Sequence, residues 1–99
     1  LYADDGAAHL ELAADELIVA VELRREEGVV DAYEKARQRD AIDFPLAGVA
    51  VALRRDGGAV GRLRVALTGT NSCPILLAGA ERLEGAPLDE AALSALDRL

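Results

Sequence analysis

The chain has 99 residues, 52% of them hydrophobic and 29% charged, which is the size and composition of one folded domain and argues against a disordered chain. Eleven Lys and Arg against eighteen Asp and Glu give a net charge of −7, and only 3% of the residues are aromatic. The chain therefore offers neither the phosphate-neutralising surface nor the stacking platform that nucleic-acid binding requires. No apolar run approaches the roughly 20 residues needed to cross a bilayer. A lone Cys73 leaves no internal disulfide, and a reducing, cytoplasmic location is the expectation.

In chain order, Asp4-Asp5-Gly6 is a turn signal that would join Leu1-Tyr2-Ala3 to His9-Leu10-Glu11-Leu12 in a short hairpin. Leu17-Ile18-Val19-Ala20-Val21-Glu22-Leu23 is rich in β-branched residues and reads as a strand, with Arg24-Arg25-Glu26-Glu27-Gly28 as a charged linker after it. Residues 29–39 are ambiguous, because Ala, Glu, Lys, Arg and Gln are also good helix formers. If the stretch is extended, Tyr33, Lys35, Arg37 and Arg39 share one face as a basic stripe, opposite Glu34, Ala36 and Gln38. Pro45 holds Phe44 away from the helical region. The apolar run 46–53 follows, with Gly48, Ala50 and Ala52 on one face, the pattern of a central strand pressed closely under helices.

Arg54-Arg55-Asp56-Gly57-Gly58 is a hairpin turn, and 60–67 returns with Leu63, Val65 and Leu67 on one face and Arg62, Arg64 and Ala66 on the other. The polar loop 68–74 ends in helix-start chemistry, with Ser72 or Cys73 as cap and Pro74 in the first turn. A helix is expected over 74–84, with an apolar stripe of Leu76, Leu77, Ala80 and Leu83 and with Gly85 as its C-terminal cap. Pro87-Leu88-Asp89 opens a second helix capped by Asp89, with Leu93 and Leu96 at buried spacing. The fold class is thus α+β: an antiparallel sheet of three to four strands with two or more helices packed on one face. The start at Leu1 without Met, and the stop at Leu99 inside a helical pattern, read as a domain cut from a longer chain.

No enzyme signature closes on itself, so no catalytic residue and no metal ligand is assigned. His9 has no nucleophile to serve as base. Cys73 would sit at a helix N-terminus, where a thiol pKa falls, yet no resolving cysteine exists and one thiolate builds no zinc or iron–sulfur site; it reads as a small cap residue. Gly57-Gly58 and Thr68-Gly69-Thr70 match neither a P-loop nor a dinucleotide fingerprint. Asp40 and Asp43 stand beside the basic run, and two readings remain open there: local charge pairing with Arg37 and Arg39, or a basic stripe that serves as an anion site where it enters the core.

Tyr33-Glu34-Lys35, then Arg39-Asp40-Ala41-Ile42-Asp43-Phe44-Pro45 running into residues 46–53, then Asp56-Gly57-Gly58, resemble in that order the C-terminal domain of the flavoprotein (medium) subunit of molybdenum hydroxylases. That family includes xanthine dehydrogenases, carbon monoxide dehydrogenases and 4-hydroxybenzoyl-CoA reductase. The resemblance implies that residues 1–28 are the end of a preceding FAD-binding domain with its linker, and that 29–99 are the flavoprotein C-terminal domain, cut at its end. It implies FAD held mainly by upstream glycine-rich loops, partner subunits carrying molybdopterin and iron–sulfur clusters in a hetero-oligomer, and a fragment inactive by itself. Lys35, Arg39, Asp40 and Asp43 fall on the segment that approaches the flavin and are the implied flavin-side contacts. A cation there would stabilise the extra negative charge of a reduced flavin. Arg39 to Pro45 together with Thr68-Gly69-Thr70-Asn71-Ser72-Cys73-Pro74 most resemble the 4-hydroxybenzoyl-CoA reductase branch, which implies an aromatic acyl-CoA substrate held in another subunit. The alternative is a cofactor-free interaction or dimerisation module, since a fold of this kind does not fix its function.

Overall fold

In a computed structural model that describes residues 1–3 and 5–99, the centre of the chain is a meander of strands β1 (Val29–Ala36), β2 (Ala47–Asp56), β3 (Ala59–Thr68) and β4 (Ile75–Leu76), antiparallel and in the spatial order β1-β2-β3-β4. Residues 29–36 are therefore extended rather than helical, which settles the ambiguity of that stretch. Gly57-Gly58 makes the β2–β3 turn, and Gly57 has φ 59, a left-handed conformation open to glycine without a Cβ penalty.

The hydrophobic pattern sets the register of this hairpin. Leu53 faces Leu63, Val51 faces Val65 and Val49 faces Leu67, so every large apolar side chain of the pair lies on one face. A two-residue turn would put Arg54 opposite Gly61, and the strands reach the apolar register through a bulge between Arg54 and Arg55. Gly61 lies at the bulge, where a Cβ would stand 3.1 Å from the Arg54 carbonyl oxygen.

Val60, Leu63 and Val65 are buried with Ala80, and Val49, Val51, Leu53, Leu77, Leu83 and Leu96 pack around them. A 3-10 helix (Ala80–Leu83) and helix α1 (Glu90–Leu96) cover this face. At the start of α1 the Asp89 carboxylate accepts a hydrogen bond from the Ala92 N–H at 3.0 Å, the cap expected from the sequence. The outer edge of β3 is closed twice: by β4 at one end, and at the other by residues 84–88, where the Gly85 N–H donates to the Val60 carbonyl (2.7 Å) and the Val60 N–H to that of Ala86 (2.9 Å).

Four expectations are corrected. The sheet carries one α-helix and a 3-10 turn, not two α-helices: Ile75-Leu76 join the sheet and Gly79 has φ 97, so no helix spans 74–84. Cys73 consequently lies at no helix N-terminus. Residues 17–23 form no strand, and Leu17, Val19 and Leu23 are more than four-fifths exposed because nothing among the described residues pairs with them. The helices cover the Val49-Val51-Leu53 face of β2, leaving Gly48, Ala50 and Ala52 on the opposite, open face. At the N-terminus Tyr2 and Leu10 form an isolated antiparallel bridge. The Asp4 part of the expected turn lies outside the described residues, while the Asp5 carboxylate accepts from the N–H groups of Ala7 and Ala8.

Candidate functional site

The strand β1 ends at Ala36, and β2 begins at Ala47, so the predicted site residues divide between a strand end and the loop that joins the two strands. The loop is closed at its base by the Leu46 N–H donating to the Ala36 carbonyl at 2.8 Å. Lys35 is on β1, opposite Gly48 and on the open face of the sheet. Tyr33 shares that face and leans toward Gly48, where a Cβ would stand 2.5 Å from both the Tyr33 hydroxyl and Thr68 Oγ1. Glycine is the residue that lets the tyrosine ring lie flat there.

Alternation stops with the strand, and the expected four-residue basic stripe is reduced to Lys35 beside Tyr33, with Arg37 and Arg39 in the loop. Asp43 is turned inward, its side chain 15% exposed: one carboxylate oxygen accepts from the Arg39 N–H at 3.1 Å and the other from the Arg39 guanidinium at 3.4 Å. Asp43 thus staples the loop, and it orients Arg39 instead of facing outward itself. Asp40 is exposed. The charge-pairing reading holds for Arg39 with Asp43, and Lys35 makes no ion pair among the described residues.

The loop also displays what charge reasoning missed. Ile42 is 98% exposed and Phe44 90% exposed, and together with Asp43 they line an open hollow of about 250 Å³. Ile42 has φ 45, a left-handed backbone that a β-branched residue adopts only under strain. Ile42 is thus a bulky apolar side chain displayed to solvent on a strained backbone. The available signal was Pro45, which holds Phe44 extended, and the absence of any apolar periodicity that would bury Ile42 or Phe44.

Among the described residues, no group of His, Cys, Asp and Glu could hold a metal ion, and no helix is long and apolar enough to cross a membrane. His9 is exposed at the N-terminal bridge, far in sequence from the loop.

Residues 31–99 match the family model of the CO dehydrogenase flavoprotein C-terminal domain. The chain belongs to that family. Its fold is similar to that of a solved chain of carbon monoxide dehydrogenase from Hydrogenophaga pseudoflava, in a form lacking the Mo-pyranopterin moiety of the molybdenum cofactor. The two share 33% identity with a TM-score of 0.63, over 72% of this chain and 25% of that one. This CO dehydrogenase flavoprotein C-terminal domain therefore spans about a quarter of the length of the solved relative. The β1–β2 loop and the meander from Asp31 onward lie within the matched residues.

Proposed function

We propose that the chain is the C-terminal part of the flavoprotein subunit of a molybdenum and iron–sulfur oxidoreductase, and that its β1–β2 loop faces FAD held mainly by an upstream domain. When bound, FAD supplies the electron-transfer chemistry. The residues here shape and charge one side of its site. Lys35 brings a cationic side chain near the loop, which favours a more negative cofactor state. Asp43 fixes Arg39 and the loop backbone, while Ile42 and Phe44 present apolar surface that excludes water. The observation that carries the reading is this strained, apolar, unpartnered loop in a chain of this family.

The domain division follows the same reading: residues 1–28 belong to the end of the FAD-binding domain and its linker, and 29–99 to the C-terminal domain. The extended, exposed run 17–23 has the composition of a strand and suits pairing with a sheet outside the described residues. Subunits bearing molybdopterin and iron–sulfur clusters complete the assembly, and the 4-hydroxybenzoyl-CoA reductase branch, with an aromatic acyl-CoA substrate, is the reading of residues 39–45 and 68–74. Purification of the full-length protein tests the proposal by its visible spectrum: flavin absorbance is expected, and a fully assembled protein without it overturns the reading.

A cofactor-free interaction module is the second reading. It draws on an apolar hollow of about 200 Å³ between sheet and helix, lined by Val51, Leu53, Leu88, Leu93 and Leu96 among others. Self-association that is lost on charge reversal at Arg37 or Arg39, with flavin content unchanged, would favour it.

A further inference from the structure

The most cationic part of this acidic molecule is not the loop. On the open face of the sheet the bulged register sets Arg54 directly opposite Arg62, and Arg64 follows two residues along β3 on the same face. The linker before β1 brings Arg24 and Glu26 to the same place. These five side chains, with Val29 and Ala52 as a floor, line a cavity of about 190 Å³. Four guanidinium groups thus converge with one carboxylate in a chain of net charge −7.

Like charges directly opposite one another on a sheet repel, so the arrangement is unfavourable unless an anion compensates it. One corner is already compensated: an Arg62 guanidinium N–H donates to Glu26 Oε2 at 2.7 Å. Arg24, Arg54 and Arg64 have no ion pair among the described residues, and Asp31, level with Arg64 across Ala52, does not reach it. The small floor residue Ala52 leaves the guanidinium edges open to a ligand, and planar forks of this kind grip oxyanions through paired N–H bonds.

We propose that this face is a binding site for a small, multiply charged oxyanion, held by Arg24, Arg54 and Arg64, with Glu26 as an internal carboxylate that competes for Arg62. The site is separate from the β1–β2 loop, and its ligand is recognised by charge and by oxygen spacing, whether the oxygens come from a phosphate ester or from a polycarboxylate. Isothermal titration of the full-length protein at low salt, with sodium pyrophosphate in one arm and citrate in the other, distinguishes the sources. Saturable binding of pyrophosphate alone assigns a phosphate ligand, and saturable binding of citrate assigns a carboxylate one. In either case R54Q/R64Q is expected to weaken binding by about tenfold or more, as loss of charge-assisted hydrogen bonds does, with R98Q unchanged. E26Q, which removes the competing carboxylate, is expected to tighten it. No saturable heat in either arm, binding indifferent to R54Q/R64Q, or binding weakened by E26Q overturns the proposal. Arg54 and Arg64 are exposed, so their replacement leaves the core intact.

Discussion

Replacing Ile42 by residues that tolerate a left-handed backbone is expected to stabilise the protein. At φ 45 an L-residue pays about 1–2 kcal/mol for the approach of its Cβ to the following carbonyl, with a β-branched residue at the upper end. Because Ile42 is 98% exposed, almost no packing is lost on its removal. Glycine relieves the strain fully but returns about 0.5–1 kcal/mol through the greater freedom of the unfolded chain, so the net gain for Ile42→Gly is about 1 kcal/mol. Asn, which tolerates this conformation with a smaller entropic cost, should match or exceed it, and Ile42→Val should change nothing. Urea unfolding of the series reads these differences as midpoint shifts of about 0.5 M at an ordinary m-value. A destabilisation by Gly or Asn of 1 kcal/mol or so would refute the reasoning, since it would mean that the side chain packs within this chain. On the proposed reading, in which the loop faces a flavin, the same variants should weaken flavin retention in the full-length protein.

Gly48→Ala should destabilise by about 1–3 kcal/mol in the same assay, as overpacking does, and a companion Tyr33→Ala should recover part of the loss by removing one of the two groups the new methyl meets. Asp89→Ala should cost about 1 kcal/mol and fray α1, measurable as lost helical ellipticity, because the Ala92 N–H loses its acceptor. The N–H groups of Ala8 and Ala7 hold the Asp5 carboxyl below its ordinary value of 3.8. Its folded pKa being lowered, Asp5 supports the N-terminal turn fully above that value and loses this as pH falls through the lowered one. An NMR titration of the Asp5 side chain should find a midpoint under 3.8, and one above it would contradict the turn geometry.

The elements whose causes are local were legible in the sequence. Gly57-Gly58 announces its turn, and Asp89 its helix, because each depends on a few adjacent residues. The stretch 74–84 misled because Leu76, Leu77, Ala80 and Leu83 have helical spacing, yet β3 offers its edge to Ile75-Leu76 and Gly79 breaks the run; tertiary pairing overrides periodicity there. Residues 17–23 have true strand composition, but composition does not say whether a partner strand is present. At the site, the charges of Lys35, Arg39 and Asp43 were visible, whereas the inward turn of Asp43 and the outward display of Ile42 depend on loop conformation. The arginine face was hidden by the bulge at Arg54/Arg55: only the shifted register sets Arg54 against Arg62.

The central claim, that the β1–β2 loop edge of this domain faces a flavin, is tested most directly by a reductive titration of the full-length protein followed through its flavin absorbance. Removing a positive charge near the cofactor raises the cost of the reduced state by about 1–2 kcal/mol at the effective dielectric of a partly exposed site. Lys35→Gln should therefore lower the flavin midpoint potential. Identical potentials for the wild-type and Lys35→Gln proteins would contradict the account.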